Sequence, residues 1–463
     1  MTRPQWARRK PKVSRLPATA VGILFAVLLL PVKAQDSWPQ VLATLGNLTT
    51  VAGSTFEAAN NGNEWLPAYE GLRAFDPSQQ DSPPHLSEPH MAMDDAYGNI
   101  YIADKNGHGI RRISPQGVLT TVAGRPVSGT LASDGDGPAT ERVVAYPNGL
   151  YVLPDGTLYI LEQGITGLQP RIRRVGRDGQ MTTLITPSGG GSVIFNRGLW
   201  VARDQSLLYF CSIEDGQGIV RKWTPAGGSV ILATMPAGSE PGNLDVDAQG
   251  FVFQADRGLH IVFRIDPATG EYTVAAGNGA TTGGGDGQPA TATGLEEVRG
   301  IAFHPLGGYF VCTHRGSALW YVGTDGIIHK VLSGVRNSTV RDGDGQPVTA
   351  NPAALKISEP RSIRVGYNGD LILTTNDCGW IRVVRSVSPP PAAALSPQGN
   401  HSYTYNPDGG MDTWIERTSS FQPYSWRTLA AFPFGTPGSG VFTDPVPPPG
   451  AAFYRLVRTR HWP

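Results

Sequence analysis

The chain has 463 residues, of which 38 are basic and 38 acidic, so it carries no net charge at neutral pH. That balance excludes a general nucleic-acid binder, which needs a basic face. With 58 glycines and 39 prolines the chain is rich in turns without reaching the level of disorder, and three cysteines are too few for a disulfide framework.

Residues 1–34 read as an export signal. Arg3, Arg8, Arg9, Lys10, Lys12 and Arg15 make a basic start, residues 18–30 an apolar run, and Val32-Lys33-Ala34 a small-residue cleavage site. The run has 13 residues, short of the roughly 20 that span a bilayer. The expected product is secreted or otherwise extracytoplasmic, in the periplasm or on the cell surface, with no membrane span; an uncleaved anchor is the alternative. Next comes "NLTTVAG", residues 47–53, a strand with no partner close by in the sequence.

From there a unit recurs. "GNIYIAD", "GTLYILE", "SLLYFCS", "GFVFQAD", "GGYFVCT" and "GDLILTT" align, placing Tyr101, Tyr159, Tyr209, Phe253, Phe310 and Ile372 in equivalent positions at steps of 58, 50, 44, 57 and 62 residues. Each is preceded by a strand such as "GLYVLP" or "GIAFHP" and followed by one such as "GIRRIS", "RIRRVG" or "WIRVVR". A fourth strand follows in "VLTTVAG", "QMTTLIT", "SVILATM", "EYTVAAG" and "IIHKVLS". Four short strands per unit, parted by turn signals and without helical periodicity, predict an all-β, six-bladed β-propeller over residues 35–387. The sixth unit lacks its fourth strand, and "NLTTVAG" is expected to supply it and close the ring.

Composition changes at Ser388. Pro389, Pro390 and Pro391 begin a proline-rich linker, residues 388–399. Residues 400–463 carry the strand-like pieces "SYTYN", "TWIERTS", "WRTLAAF", "GVFTD" and "AFYRLVR", enough for a small β-sandwich. The two domains are expected to behave as separate folding units.

The cycle "LTTVAG", "GDGxPAT", "PxGLxV", "DGxLYIAD", "NxxGIRRIS" resembles the NHL repeat over roughly Leu48 to Val387. It is clearest in units one, two and five and fades in three and four, which lack the "GDG" loop. The resemblance implies a propeller serving as a binding surface. It also keeps open an enzymatic alternative, a metal-dependent lyase or lactonase acting at one mouth of the channel.

The Asp-Gly clusters at residues 134–140, 286–291 and 342–349 all fall between an outer strand and the next inner strand. No Lys-Ser/Thr pair or helix follows to make a phosphate cradle, and the spaced ligands of an EF-hand are missing. Chain punctuation is the favoured reading, with a low-affinity calcium site as its alternative.

In a propeller the starts of the inner strands converge on one mouth. The position before each "GL/GI" reads Pro89, Asn148, Arg197, Gly242, Arg299 and Arg361; the following one reads His90, Gly149, Gly198, Asn243, Gly300 and Ser362. Arg197, Arg299 and Arg361, with Asn148, His90 and Asn243, are therefore the candidate ligand-binding residues. An anion is the ligand chemistry they suit, unless each arginine pairs with an acid such as Glu240, Glu297 or Glu359. No two histidines share a metal-binding spacing, and no "GxSxG" elbow supports a serine hydrolase. His108 and His260 match a structural histidine of the repeat. No catalytic residue or cofactor is assigned, zinc or calcium being the remaining possibilities. The expected partner is a protein, peptide or carbohydrate, and the expected state a monomer.

Overall fold

A computed structural model of the chain describes residues 36–53, 70–75, 86–125, 135–164, 169–187, 192–337, 342–348, 351, 353, 355–375, 379–387, 395–399, 401–405, 411–420, 426–432 and 440–460. The chain divides into two compact units, Met1–Ala34 and Gln35–Pro463. All the described residues belong to the second unit, so the expected export signal lies outside them. No helix among them is long and apolar enough to cross a membrane.

The protein is nearly all β. Its strands form successive antiparallel sheets, each running from a buried inner strand outward. The first sheet contains Pro89–Asp94, Ile100–Asp104, Gly109–Ile113 and Leu119–Ala123; the second, Pro147–Val152, Leu158–Glu162, Arg171–Val175 and Gln180–Ile185. The third holds Val193–Val201, Leu208–Glu214, Gln217–Thr224 and Gly228–Thr234, and the fourth Pro241–Val246, Val252–Asp256, Ile261–Ile265 and Tyr272–Ala276. The fifth is built from Val298–Phe303, Tyr309–Thr313, Ala318–Val322 and Ile327–Gly334. In the sixth, Pro360–Val365, Leu371–Thr375 and Trp380–Ser386 are completed by the early strand Leu45–Ala52. Leu48 pairs with Val384 and Thr50 with Arg382, so the expected partner of "NLTTVAG" is the one observed.

Inner strands touch in chain order, and the sixth touches the first, so they surround one axis in the manner of a β-propeller. Burial follows from that geometry. The second strands of five sheets are buried throughout, whereas the outer strands Gly228–Thr234 and Tyr272–Ala276 are largely exposed. The glycine ending each "TVAG" is forced by close approach. Gly53 and Gly124 have φ of 100° and 101°, and a Cβ there would lie 2.4 Å from Gly379 O or 2.6 Å from His108 O.

The Asp-Gly loops occupy the predicted connections and also cover sheet edges. Gly137–Pro138 pairs with Met181 and Gln180, and Gln288–Pro289 with Ile328 and Ile327. Pro347 bridges Asn47. Asp136 accepts the Thr183 N–H at 2.9 Å and Asp286 the Lys330 N–H at 2.8 Å, satisfying donors that an open edge would leave bare. The third and fourth sheets have no such loop in the sequence, and their outer strands expose Val230, Ile231, Tyr272 and Val274.

His108 and His260 are structural. Their Nδ1 atoms accept the N–H of Tyr146 at 3.3 Å and of Glu297 at 3.0 Å, tying a turn of one sheet to the start of the next inner strand. All five predicted tail strands form, and a sixth, Ser396–Gly399, arises within the stretch expected to be linker and pairs with Ser402–Tyr405, giving two three-stranded sheets. The buried Glu416 accepts from Tyr97 Oη at 2.8 Å and pairs with Arg177 at 2.9 Å and Arg455 at 2.7 Å. Arg203 pairs with Asp412 and donates to Thr459 Oγ1 at 2.9 Å. Tyr97, Arg177 and Arg203 lie in turns between first and second or third and fourth strands. The tail is therefore docked on the end of the sheets where inner strands finish. A proline-rich linker sequence reports on the linker alone, and the faces flanking it decide docking; Pro389 to Pro391 lie outside the described residues.

Candidate functional site

Every inner strand breaks register with its neighbour near its start. The breaks lie between Pro89 and Met91, Pro147 and Gly149, Asn196 and Leu199, Pro241 and Leu244, Val298 and Gly300, and Pro360 and Ser362. A bulge inserts a residue and re-aims its side chain, here at the axis. The first unpaired positions are His90, Asn148, Arg197, Gly242, Arg299 and Arg361, and in the third and fourth sheets Gly198 and Asn243 are unpaired as well. This corrects the alignment in one respect: His90 belongs with the arginines, where the sequence put Pro89, and Asn243 belongs one step deeper with Met91. Close packing supports the bulges, since a Cβ on Gly198 or Gly300 would lie 2.5 Å from the Sγ of Cys211 or Cys312. Both thiols are free and buried, and burial pushes them up, Cys312 to about 12.

These side chains open into a cavity of about 670 Å³ at the mouth where inner strands begin. His90, Asn148, Arg197, Arg299 and Arg361 line it. Asn243 does not; it is buried below, its Nδ2 directed at Met91 Sδ 3.7 Å away. Lys105, Arg257, Gln163, Ile194 and Ile213 also line the wall and escaped sequence reasoning. Lys105 and Arg257 directly follow "IYIAD" and "FVFQAD", one residue beyond the aligned strands.

A chain of hydrogen bonds runs around the mouth. His90 Nε2 lies 3.0 Å from Arg361 Nη1 and 3.1 Å from Glu88 Oε1, and its Nδ1 is hydrogen-bonded to Asn148 Oδ1. Asn148 Nδ2 donates to Asn196 Oδ1 at 3.3 Å, and Asn196 Nδ2 to the Pro241 carbonyl. Burial and the nearby Arg197 hold His90 well below its usual range, so it is neutral.

The cations differ in their counter-charges. Arg361 and Lys105 share Glu88, at 3.3 and 3.4 Å. Burial opposes the Glu88 charge, but the charges of Lys105 and Arg361 help hold that carboxyl below the usual range. Arg257 pairs with Glu240 and Arg299 with Glu297 at 3.4 Å; Glu297 also receives His314 at 3.1 Å and Arg315 at 3.1 Å. Glu359, a proposed partner for Arg361, pairs with Arg336 at 3.5 Å. Burial and the Arg361 and Arg257 charges push Arg299 down to about 9.

Arg197 forms no ion pair with any described residue, is 9% exposed, and its Nη1 is buried without a hydrogen-bond partner. Burial and the charges of Arg299, Arg361 and Arg257 depress it strongly. Two positions before each bulged residue stand Glu88, Tyr146, Phe195, Glu240, Glu297 and Glu359, so the third sheet offers a phenylalanine where four others offer an acid. Among the described residues no group of three or more His, Cys, Asp or Glu side chains is placed to hold a metal ion.

No protein-family profile matches the sequence, and no curated protein matches it. The solved structures do give matches. An auxiliary nutrient binding protein from Bacteroides thetaiotaomicron is similar at 14% identity and a TM-score of 0.51, over 73% of this chain and 76% of that one. Another from Bacteroides ovatus gives 13% and 0.51, over 74% and 77%. A gluconolactonase from Xanthomonas campestris gives 14% and 0.47, over 76% and 94%. At these identities the likenesses concern the fold alone, that of propeller-type proteins.

Proposed function

We propose that the chain is an exported, six-bladed NHL-type β-propeller, closed by its N-terminal strand and followed by a small β-sandwich, that acts as a binding module for an anionic ligand at the arginine-lined mouth. The observation that carries this is Arg197. A guanidinium in a cavity wall, without an ion pair and surrounded by like charges, is costly to fold, and the cost is offset when an anion arrives. Two proteins sharing the fold are described as auxiliary nutrient binding proteins, which agrees with a binding role.

The test separates this reading from a structural one. Arg197→Ala removes a repulsive charge, so the unliganded variant is expected to melt at the same temperature as the parent or higher. Binding of galacturonate, citrate or acetate, measured by titration calorimetry, is expected to weaken at least about tenfold, since a charge-assisted contact contributes roughly 1.5 to 3 kcal/mol. Arg299→Ala should weaken it similarly. A clear loss of stability in Arg197→Ala, with anion binding intact or absent from both proteins, would assign the arginine to the fold and overturn the proposal.

A further inference from the structure

The cavity is shaped for more than a charge. The third sheet's first three strands, Val193–Val201, Leu208–Glu214 and Gln217–Thr224, are longer than the five- or six-residue inner and second strands elsewhere. Their extra length rises above the mouth beside Arg197. There Ile194 and Ile213, directly opposed across the two strands, both line the cavity and form an apolar wall next to the unpaired guanidinium. Gln163, whose side-chain amide makes no hydrogen bond to any described residue, adds a neutral donor and acceptor to the lining. Below, the Asn243 to Met91 contact joins the fourth and first sheets across the axis, so the cavity is blind and a polymer cannot thread it.

Resting on the anion reading, we propose that the ligand is a sugar acid: one carboxylate seated on Arg197, ring hydroxyls on Gln163 and the other polar lining, and a C–H face against Ile194 and Ile213. Each part of the lining selects against a competitor. An inorganic ion leaves the isoleucine wall wet. A neutral sugar leaves Arg197 without a counter-charge. A blind cavity accepts a single unit or a chain end and releases it through the same mouth.

Titration calorimetry on the full chain with D-galacturonate, D-galactose, acetate, sulfate and glutamyl-glutamate tests this. Galacturonate is expected to bind at least about tenfold more tightly than galactose, acetate or sulfate. Ile213→Ser should weaken galacturonate several-fold while leaving acetate unchanged, which a general loss of folding would not do. Equal affinity for acetate or sulfate and galacturonate would overturn the sugar-acid assignment while sparing the anion site. Tighter binding of glutamyl-glutamate would replace it with a peptide end. Absence of binding by every anion would remove the anion site itself.

Discussion

The early strand Leu45–Ala52 is held on two sides, and that makes its contribution measurable. On one side it pairs with Trp380–Ser386; on the other, Leu48 N donates to Gln346 O at 3.0 Å and Gly345 N to Leu48 O at 2.7 Å. The Leu48 side chain is fully buried in a cluster with Val348, Leu371 and Val384. Leu48→Ala removes three carbon atoms from a site whose walls are strands fixed by their own ladders, so little collapse is possible. The expected loss is about 3 kcal/mol, within the range for buried leucine truncations. Spread over an unfolding entropy of about 2 cal/mol/K per residue for roughly 350 residues, that lowers the melting temperature by about 4 °C. Urea unfolding followed by circular dichroism gives the free energy directly. Ile231→Ala is the control: it lies on the outer strand of the third sheet, 53% exposed, and should change stability by less than about 0.5 kcal/mol. If closure binds the ring into one cooperative unit, Leu48→Ala also speeds amide exchange in the distant third sheet. A Leu48→Ala effect no larger than the control, or one confined to exchange in the sixth sheet, would refute the reasoning.

Glu416→Ala leaves the Arg177 and Arg455 charges at the tail junction without their shared carboxylate, a loss of roughly 3 to 5 kcal/mol for a buried network. Limited proteolysis within residues 388–399 should then release the tail from the variant and not from the parent; equal release from both would show that the docked face contributes nothing. Asp94 is pushed up to about 8 by burial and the charges of Asp95 and Asp370, while an unfolded aspartate titrates near 3.9. The folded state thus holds a proton that the unfolded state has lost, and stability falls as pH rises from about 4 through 8. Histidines held down, such as His90 and His108, act in the opposite sense and only below about 6.5. Asp94→Asn should therefore flatten the decline in melting temperature between pH 6.5 and 8.5, and an unchanged slope would dismiss the assignment.

The periodic part of the fold was legible because its cause is local. Alternation, turn dipeptides and the "TVAG" glycine each act within a few residues, so strand positions and the pairing of "NLTTVAG" with the last unit follow from counting. The bulges did not follow. Whether one residue is inserted into a ladder depends on the partner strand and on what packs beneath it, such as Cys211 under Gly198 or Cys312 under Gly300. Hence His90 was placed one position out of line with Arg361, though Pro89, Pro147, Pro241 and Pro360 mark the strand starts from which the bulge can be counted.

The arginine cluster was visible as a charge pattern, but its asymmetry required a second position to be compared. The residue two before the bulge supplies the acids of the mouth in three sheets, where the chain turns back toward the axis: Glu88 pairs with Lys105 and Arg361, Glu240 with Arg257 and Glu297 with Arg299. Glu88, Glu297 and Glu359 adopt left-handed φ of 58°, 54° and 36°, and Tyr146 does so at 49° in the second sheet. In the third sheet Phe195 takes that place and turns into the core against Phe210, with ring centroids 5.0 Å apart, so Arg197 loses a carboxylate and gains a hydrophobic support. "EVR" in the fifth sheet against "FNR" in the third states the difference in the sequence itself. Restoring the acid tests it: Phe195→Glu would supply Arg197 with a counter-charge but empty an aromatic contact in the core, so its stability cost and its loss of anion binding should appear together, whereas Arg197→Ala should show the loss of binding alone.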